Sequence, residues 1–169
     1  MAILRTSNGV DVLVDDEDLE RLTPFKWNAY LKKGIGCVVT FQSGNRIVLH
    51  RMLANTPVGF ITDHKNGNPL DNRKENLRIC NYSQNNANCK KHGSSCASKY
   101  KGVTYRKNRL KWGARIKKDG REVWLGSYRN EEIAAIAFDL GSIEHHGEFA
   151  RPNFLSVDVM IDFDLSIFP

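Results

Sequence analysis

Asp63 and His64 stand side by side, Asn76 follows thirteen residues after Asp63, and Asn85 comes nine residues later, a set of polar groups that no hydrophobic core requires. A carboxylate and an amide oxygen are hard donors, suited to an octahedral cation such as magnesium that keeps its other positions for water and phosphate oxygen. His64 beside them has the right strength as a base. Its neutral imidazole, with a reference pKa near 6.5, can take a proton from water at neutral pH. Neighbouring side chains in a straight strand point to opposite faces, so the backbone must bend if Asp63 and His64 are to serve one site. The asparagines have an alternative use. Asn68, Asn72, Asn76, Asn81, Asn85, Asn86 and Asn88 crowd one stretch, and Asn stabilises turns through its side chain, so spacing alone leaves ligation and loop building both open.

The elements around these residues read as strand, loop, strand, helix. Residues 60–64 form a short apolar strand ending in the two ionisable groups, 65–72 a long polar turn, and 77–80 a second strand. Ser83 is placed to cap a helix over 84–88. Upstream, residues 10–14 alternate as a strand. A helix with acidic residues in its first turn runs from 15 to 22, and Pro24 ends it. Strands at 27–31, 37–42 and 46–49 are separated by hairpin signals, and 51–54 make one helical turn. Residues 89–98 are small and polar and read as a linker. Beyond them 103–106, 111–117 and 123–128 predict a three-stranded meander. A helix follows, capped by Asn130, with Ile133, Ala134, Ala137, Phe138 and Gly141 at helical spacing and Gly147 at its end. The expected class is α+β: a mixed α/β unit over residues 1–88, a linker at 89–98, an antiparallel sheet with one helix over 99–154, and a tail at 155–169 that alternates like a strand with an acidic face.

Composition narrows the partners. The 169 residues, 41% hydrophobic and 26% charged, make an ordinary globular chain and exclude fibrous or mainly disordered classes as well as a large multidomain enzyme. No apolar run approaches the ~18 residues of a membrane helix, and the start resembles no secretion signal, so no membrane partner and a reducing cytoplasm are expected. Cys37, Cys80, Cys89 and Cys96 form no C-x-x-C pair, so free thiols and no zinc are expected. The net charge of +6 is concentrated: between Lys99 and Arg129 there are 11 Lys and Arg against only Asp119 and Glu122. Tyr100, Tyr105, Trp112, Trp124 and Tyr128 are interleaved with them. Cations mixed with aromatics suit a polyanion surface, although a solvated sheet face is an equal reading on charge alone.

Two resemblances weigh these alternatives. HRMLANTPVGFITDHKNGNPLDNRKENLRICNYSQNNAN resembles the HNH nuclease family through its V-x-H-R entry, D-H-x-x-G-N turn, D-N-x-x-x-N-L-R centre and S-x-x-N helix. That resemblance implies His64 as the general base, Asp63 and Asn85 as ligands of one divalent metal (magnesium, with manganese as the alternative), and Asn76 as the middle Asn that braces the loop of a ββα-metal motif. The last family His is Asn85 here, a replacement also found in phage intron-encoded nicking members. His50 aligns with the H-R entry and is read as structural.

SKYKGVTYRKNRLKWGARIKKDGREVWLGSYRNEEIAAIAFDLGSIEHHGEFARPNF resembles the Apetala/ethylene-response-factor DNA-binding domain. The landmarks are Y-K-G-V at 100–103, K-W-G-A-R-I at 111–116, W-L-G-S-Y at 124–128, the 131–141 helix and Asn153-Phe154. In that fold the sheet lies in the major groove, which implies DNA contacts from Lys101, Arg106, Lys111, Arg115, Lys117 and Trp124, with Trp112 in the core. Thr104 stands where the plant domains often carry Arg, so their sequence preference does not transfer. The expectation is a metal-dependent, homing-endonuclease-like enzyme of phage type, acting in a bacterial host's cytoplasm. It would hydrolyse phosphodiester bonds in double-stranded DNA, nicking one strand, as a monomer in preference to a homodimer. The rival is a non-catalytic DNA-binding regulator with a decayed nuclease module.

Overall fold

The computed structural model describes residues 1–32, 35–91 and 97–154. The expected tail strand, the 33–34 turn and Cys96 lie outside them. The fold is α+β, with several small sheets and few helices, and the chain divides into two compact units, Met1–Asn85 and Asn86–Pro169.

In the first unit β1 (Ala2–Arg5) and β2 (Asp11–Val14) form an antiparallel ribbon, followed by α1 (Asp16–Leu22). β3 (Asn28–Lys32), β4 (Ile35–Gln42) and β5 (Asn45–Val48) make a three-stranded meander that runs into α2 (Leu49–Leu53). Alternation in β2 buries Val12 and Val14, which meet Leu22, Trp27, Val38 and Leu49 in one apolar core. Trp27 satisfies its indole N–H there by donating to the Leu22 carbonyl at 2.9 Å.

β6 (Ile61–His64) and β7 (Leu77–Cys80) then pair antiparallel, and α3 (Tyr82–Asn88) follows. The cap of α3 differs from the sequence expectation. Asn81, not Ser83, is the cap: its Oδ1 accepts from the Gln84 N–H at 2.9 Å while Gln84 Oε1 accepts from the Asn81 N–H at 2.8 Å. This reciprocal pair satisfies two donors that the helix start leaves unpaired, and it starts the helix before Ser83. The long turn between β6 and β7 is anchored on β2, because Leu13 donates to the Leu70 carbonyl and accepts from the Asn72 N–H, both at 2.8 Å.

In the second unit β8 (Val103–Arg106), β9 (Lys111–Lys118) and β10 (Arg121–Tyr128) form an antiparallel sheet in the order β10-β9-β8, and α4 (Glu131–His146) packs on one face. Asn130 Oδ1 caps α4 by accepting from Glu132 and Ile133. Ala134, Ala135, Ala137 and Phe138 meet Val103, Ala114 and Ile116, the small side chains letting the helix approach closely. Gly102 is required there: its φ is +75°, and a Cβ would stand 1.9 Å from the Phe138 ring.

One network closes this unit. Asp139, fully buried on α4, accepts from the Asn153 backbone N–H at 2.6 Å, the Asn153 amide at 2.9 Å and the Phe154 N–H at 2.8 Å. Asn153 in turn accepts from the Lys101 N–H at 2.7 Å and donates to the Lys101 carbonyl at 3.2 Å. Every member of the network is hydrogen-bonded, which is the condition for burying a carboxylate. No helix among the described residues is long and apolar enough to cross a membrane.

Candidate functional site

The β6–β7 hairpin brings Asp63 opposite Arg78 and His64 opposite Leu77. Arg78 donates to Asp63 Oδ2 from Nε at 3.0 Å and from a terminal nitrogen at 2.8 Å. Both side chains are only 9% exposed, so this is a buried ion pair and not a surface one. Its guanidinium neutralises the carboxylate, which makes burial of Asp63 tolerable.

His64, also buried, lies with Nε2 3.4 Å from Asn72 Oδ1. The Asn72 amide N–H is committed to the Pro69 carbonyl at 3.0 Å, so its oxygen is the end that faces His64. An acceptor there selects the tautomer with hydrogen on Nε2 and the basic lone pair on Nδ1. Burial lowers the His64 pKa from 6.5, against smaller opposing effects of the Asn72 hydrogen bond, Asp63 and Asp71. The imidazole is therefore neutral at physiological pH, the state a proton acceptor needs.

His50, on α2, meets the His64 ring edge-on at 5.0 Å between centroids. Its Nδ1 is buried without a hydrogen-bond partner among the described residues. Burial, helped by His64, Arg51 and Arg46, lowers its pKa to about 4. The unfolded chain takes up a proton through pH 6.5 while the folded one does so only near 4. The stability this group contributes is thus complete above 6.5 and is lost as pH falls toward 4, by up to about 3 kcal/mol. His50→Phe should reduce the drop in urea midpoint between pH 7 and pH 4.5. An unchanged drop would assign the acid sensitivity to other groups.

Asn76 is the last residue of the short 3-10 segment Lys74–Asn76 at the end of the turn, and is buried. Its Oδ1 accepts from the Asn66 backbone N–H at 3.0 Å, and its amide donates to Asn66 Oδ1 at 3.1 Å and to the Asp71 carbonyl at 2.7 Å. The Asn76 carbonyl accepts from Lys65 at 2.8 Å. Asp71 is gripped by Arg73 through two 2.8 Å contacts and by the Asn66 amide at 2.9 Å; the Arg73 hydrogen bond is the main cause that lowers its pKa. The turn is thereby stitched at both ends and in its middle. Asn85 lies on α3, half-buried, its backbone N–H bonded to the Asn81 carbonyl at 3.0 Å.

Arg78 is not singled out by the sequence, Asn72 stands only among the asparagines open to ligation or loop building, and His50 is read only as structural. The available signal for Arg78 was register, since an antiparallel pairing of 61–64 with 77–80 puts it across from Asp63.

On the second unit, cross-strand partners share a face of the sheet. Arg106 pairs with Lys111, Thr104 with Gly113, Arg115 with Trp124 and Lys117 with Glu122, all on the side away from α4. Arg106, Lys111, Arg115, Lys117 and Trp124 are thus brought together on one open face. Trp124 lies over Gly113, where a Cβ would come within 2.4 Å of the indole, and the Arg106 guanidinium sits 4.9 Å above the indole ring. Lys101 is placed elsewhere. Its ammonium donates to the Ala87 carbonyl and lies 6.0 Å from the Phe138 ring, on the side of α4; burial lowers its pKa to about 8. Trp112 faces α4, its ring tilted against Tyr105 with centroids 4.8 Å apart. Cys37 and Cys80 are free thiols.

A family model for HNH endonucleases matches residues 46–87, the span from β5 through most of α3. Protein 3.8 of Escherichia phage T7 is 33% identical over 100 residues, 58% of this chain and 81% of that protein. An uncharacterized HNH endonuclease of Acanthamoeba polyphaga mimivirus is 29% identical over 157 residues, 89% of this chain and 79% of its own length. An AP2/ERF and B3 domain-containing protein of Oryza sativa subsp. japonica is 41% identical over 58 residues, 34% of this chain; the chain spans only 16% of that relative. The chain thus carries an HNH endonuclease family segment at residues 46–87 together with a stretch of 58 residues similar to an AP2/ERF-type protein.

Proposed function

We propose that the protein is a metal-dependent DNA endonuclease that hydrolyses phosphodiester bonds in double-stranded DNA, cutting one strand per engagement. The nuclease work falls to residues 1–88 and the grip on the duplex to residues 99–154. The observation that carries this reading is the buried Asp63-His64 pair at the end of β6, with the His64 tautomer selected by Asn72 and the adjoining turn locked by Asn76.

His64 Nδ1 accepts a proton from the attacking water, and Asn72 keeps the ring oriented while it does so. Asp63 and Asn85 are the residues that would hold a divalent metal, magnesium in preference to manganese. Their carboxylate and amide oxygens are the hard donors such a cation takes. When bound, such an ion supplies Lewis-acid polarisation of the phosphate and stabilisation of the leaving 3′ oxygen. Asn76 acts by keeping the turn closed beside the reacting groups. The HNH endonuclease name of the mimivirus relative supports a nuclease, and the viral source of both relatives supports action in an infected cell; a homing-endonuclease manner is part of the proposal.

Supercoiled plasmid incubated with the protein and magnesium should convert to open circles. His64→Ala should stop the conversion without lowering duplex affinity. Equal cleavage by His64→Ala would remove His64 as the base, and no cleavage by the native chain would leave a DNA-binding regulator.

The open face of the β8–β10 sheet is the proposed duplex grip. Each phosphate neutralised contributes roughly 0.9 to the slope of log affinity against log salt, so about five contacts should give a slope near −4 to −5. Lys117→Ala should flatten it by about one unit, while Lys101→Ala should leave it unchanged because that ammonium is committed to Ala87. A binding isotherm indifferent to salt would remove the electrostatic basis of the grip.

A further inference from the structure

The open face of the sheet carries an anomaly for a surface that meets a polyanion. Across β8, β9 and β10 a single carboxylate occurs, Glu122, and it is on that face, opposite Lys117 and beside Arg115. Both of its oxygens lie 3.2 Å from one terminal nitrogen of Arg115, with side chains 62% and 48% exposed. Glu122, Arg115, Trp124, Arg106, Thr104 and Gly113 line one concavity of about 250 Å³. The floor is shaped: Trp124 covers Gly113, and Arg106 covers Trp124.

A carboxylate here is repelled by phosphates, and an exposed ion pair with Arg115 is worth under about 1 kcal/mol, too little to account for its place by stability. What a carboxylate can do in a major groove is accept. The edges there present N7 and O6 of guanine, N7 of adenine and O4 of thymine as acceptors, and only the exocyclic amino groups, cytosine N4 and adenine N6, as donors. The Arg115 guanidinium beside it, a donor fork, is suited to the acceptor edges. A donor and an acceptor held 3.2 Å apart on one concave patch can read an acceptor and an amino group that lie next to each other.

We infer that Glu122 is a specificity determinant: set beside Arg115 on the open face, its carboxylate accepts from an exocyclic amino group in the major groove and rejects sites that offer only acceptors there, at the expense of affinity for DNA in general. This rests on the proposed use of the face as the duplex grip. Phosphate contacts from Lys111 and Lys117 then hold register, and the Arg115–Glu122 pair discriminates.

The test is selection by the full-length native chain from a pool of randomised duplexes. Competition binding of native and Glu122→Gln proteins to the selected duplex and to random duplex follows, at fixed salt and without metal. Glu122→Gln keeps the side-chain shape, and a matching melting temperature certifies the fold. The native chain should enrich a position bearing an amino group on one strand. Glu122→Gln should bind random duplex several-fold more tightly, and its ratio of selected to random affinity should fall roughly tenfold, with selection at that position relaxed. A parallel rise in affinity for both duplexes, leaving the ratio intact, would overturn the inference while preserving the grip. A native chain that enriches no sequence, yet binds in a salt-dependent way, would also overturn it. A native chain that binds no duplex removes the grip and the inference together.

Discussion

Asp63→Ala is expected to abolish plasmid cleavage and also to unfold the first unit at a temperature several degrees lower, because it removes the carboxylate that pairs with the buried Arg78. Removing one partner of a buried ion pair costs about 3–5 kcal/mol, since the remaining charge is desolvated without compensation, whereas replacing both partners by apolar groups is close to neutral. Both side chains here are 9% exposed, so the buried case applies. The double variant Asp63→Ala/Arg78→Leu should therefore recover most of the lost stability and none of the activity. Duplex affinity should stay within about twofold in both. Urea unfolding of the native chain, both single variants and the double variant closes the cycle. Additive losses would mean that the pair is not coupled, and the account of how Asp63 is held would fail.

Asn76 carries the second large effect, through the turn and not through any reacting atom. Alanine there removes three side-chain hydrogen bonds and leaves the Asn66 N–H and Asp71 carbonyl without that partner; each such loss costs about 1–3 kcal/mol where the groups are buried. A total of about 2–4 kcal/mol is expected, with cleavage reduced in step with the fraction folded and recovered in part at low temperature. Asn76→Asp is the sharper probe. Its second oxygen would face the Asn66 Oδ1 and the Asp71 carbonyl, two acceptors, so it should be no more stable than Asn76→Ala. A stable Asn76→Ala protein lacking only cleavage would instead give Asn76 a direct part in the chemistry.

Much of the architecture could be read from periodicity and turn residues. The strand at 77–80 and the one at 103–106 have the expected bounds, α4 runs between its expected cap Asn130 and its expected end at Gly147, and β9 and β10 differ from expectation by a residue or two at one end. β1 escaped although Ser7-Asn8-Gly9 after it is a turn signal, because Ala2–Arg5 is only four residues long and its pairing with β2 is what makes it a strand. The cap of α3 escaped because Asn81 and Ser83 are both competent, and the reciprocal bond with Gln84 decides between them. For the open face, alternation along β9 and β10 suffices to group Lys111, Arg115, Lys117 and Trp124. Lys101 precedes β8, where no periodicity applies, and its long chain turns to the Ala87 carbonyl for reasons only three dimensions contain. Arg78 is the same kind of omission: a motif letter with no role until cross-strand register sets it against Asp63.

The buried Asp139–Asn153–Lys101 network has one consequence for how this segment travels among proteins. Because Asn153 bonds both backbone groups of Lys101, the segment's entry and exit lie side by side. A fold whose ends meet behaves as a cassette: inserting it into another chain's surface loop opens that loop little and adds little closure entropy. Joining 154 to 99 through a short glycine bridge and opening the chain at the 119–120 turn should give a circular permutant that still folds. The same geometry would make insertion of this segment into an unrelated chain mechanically undemanding, whatever the host chain does with it.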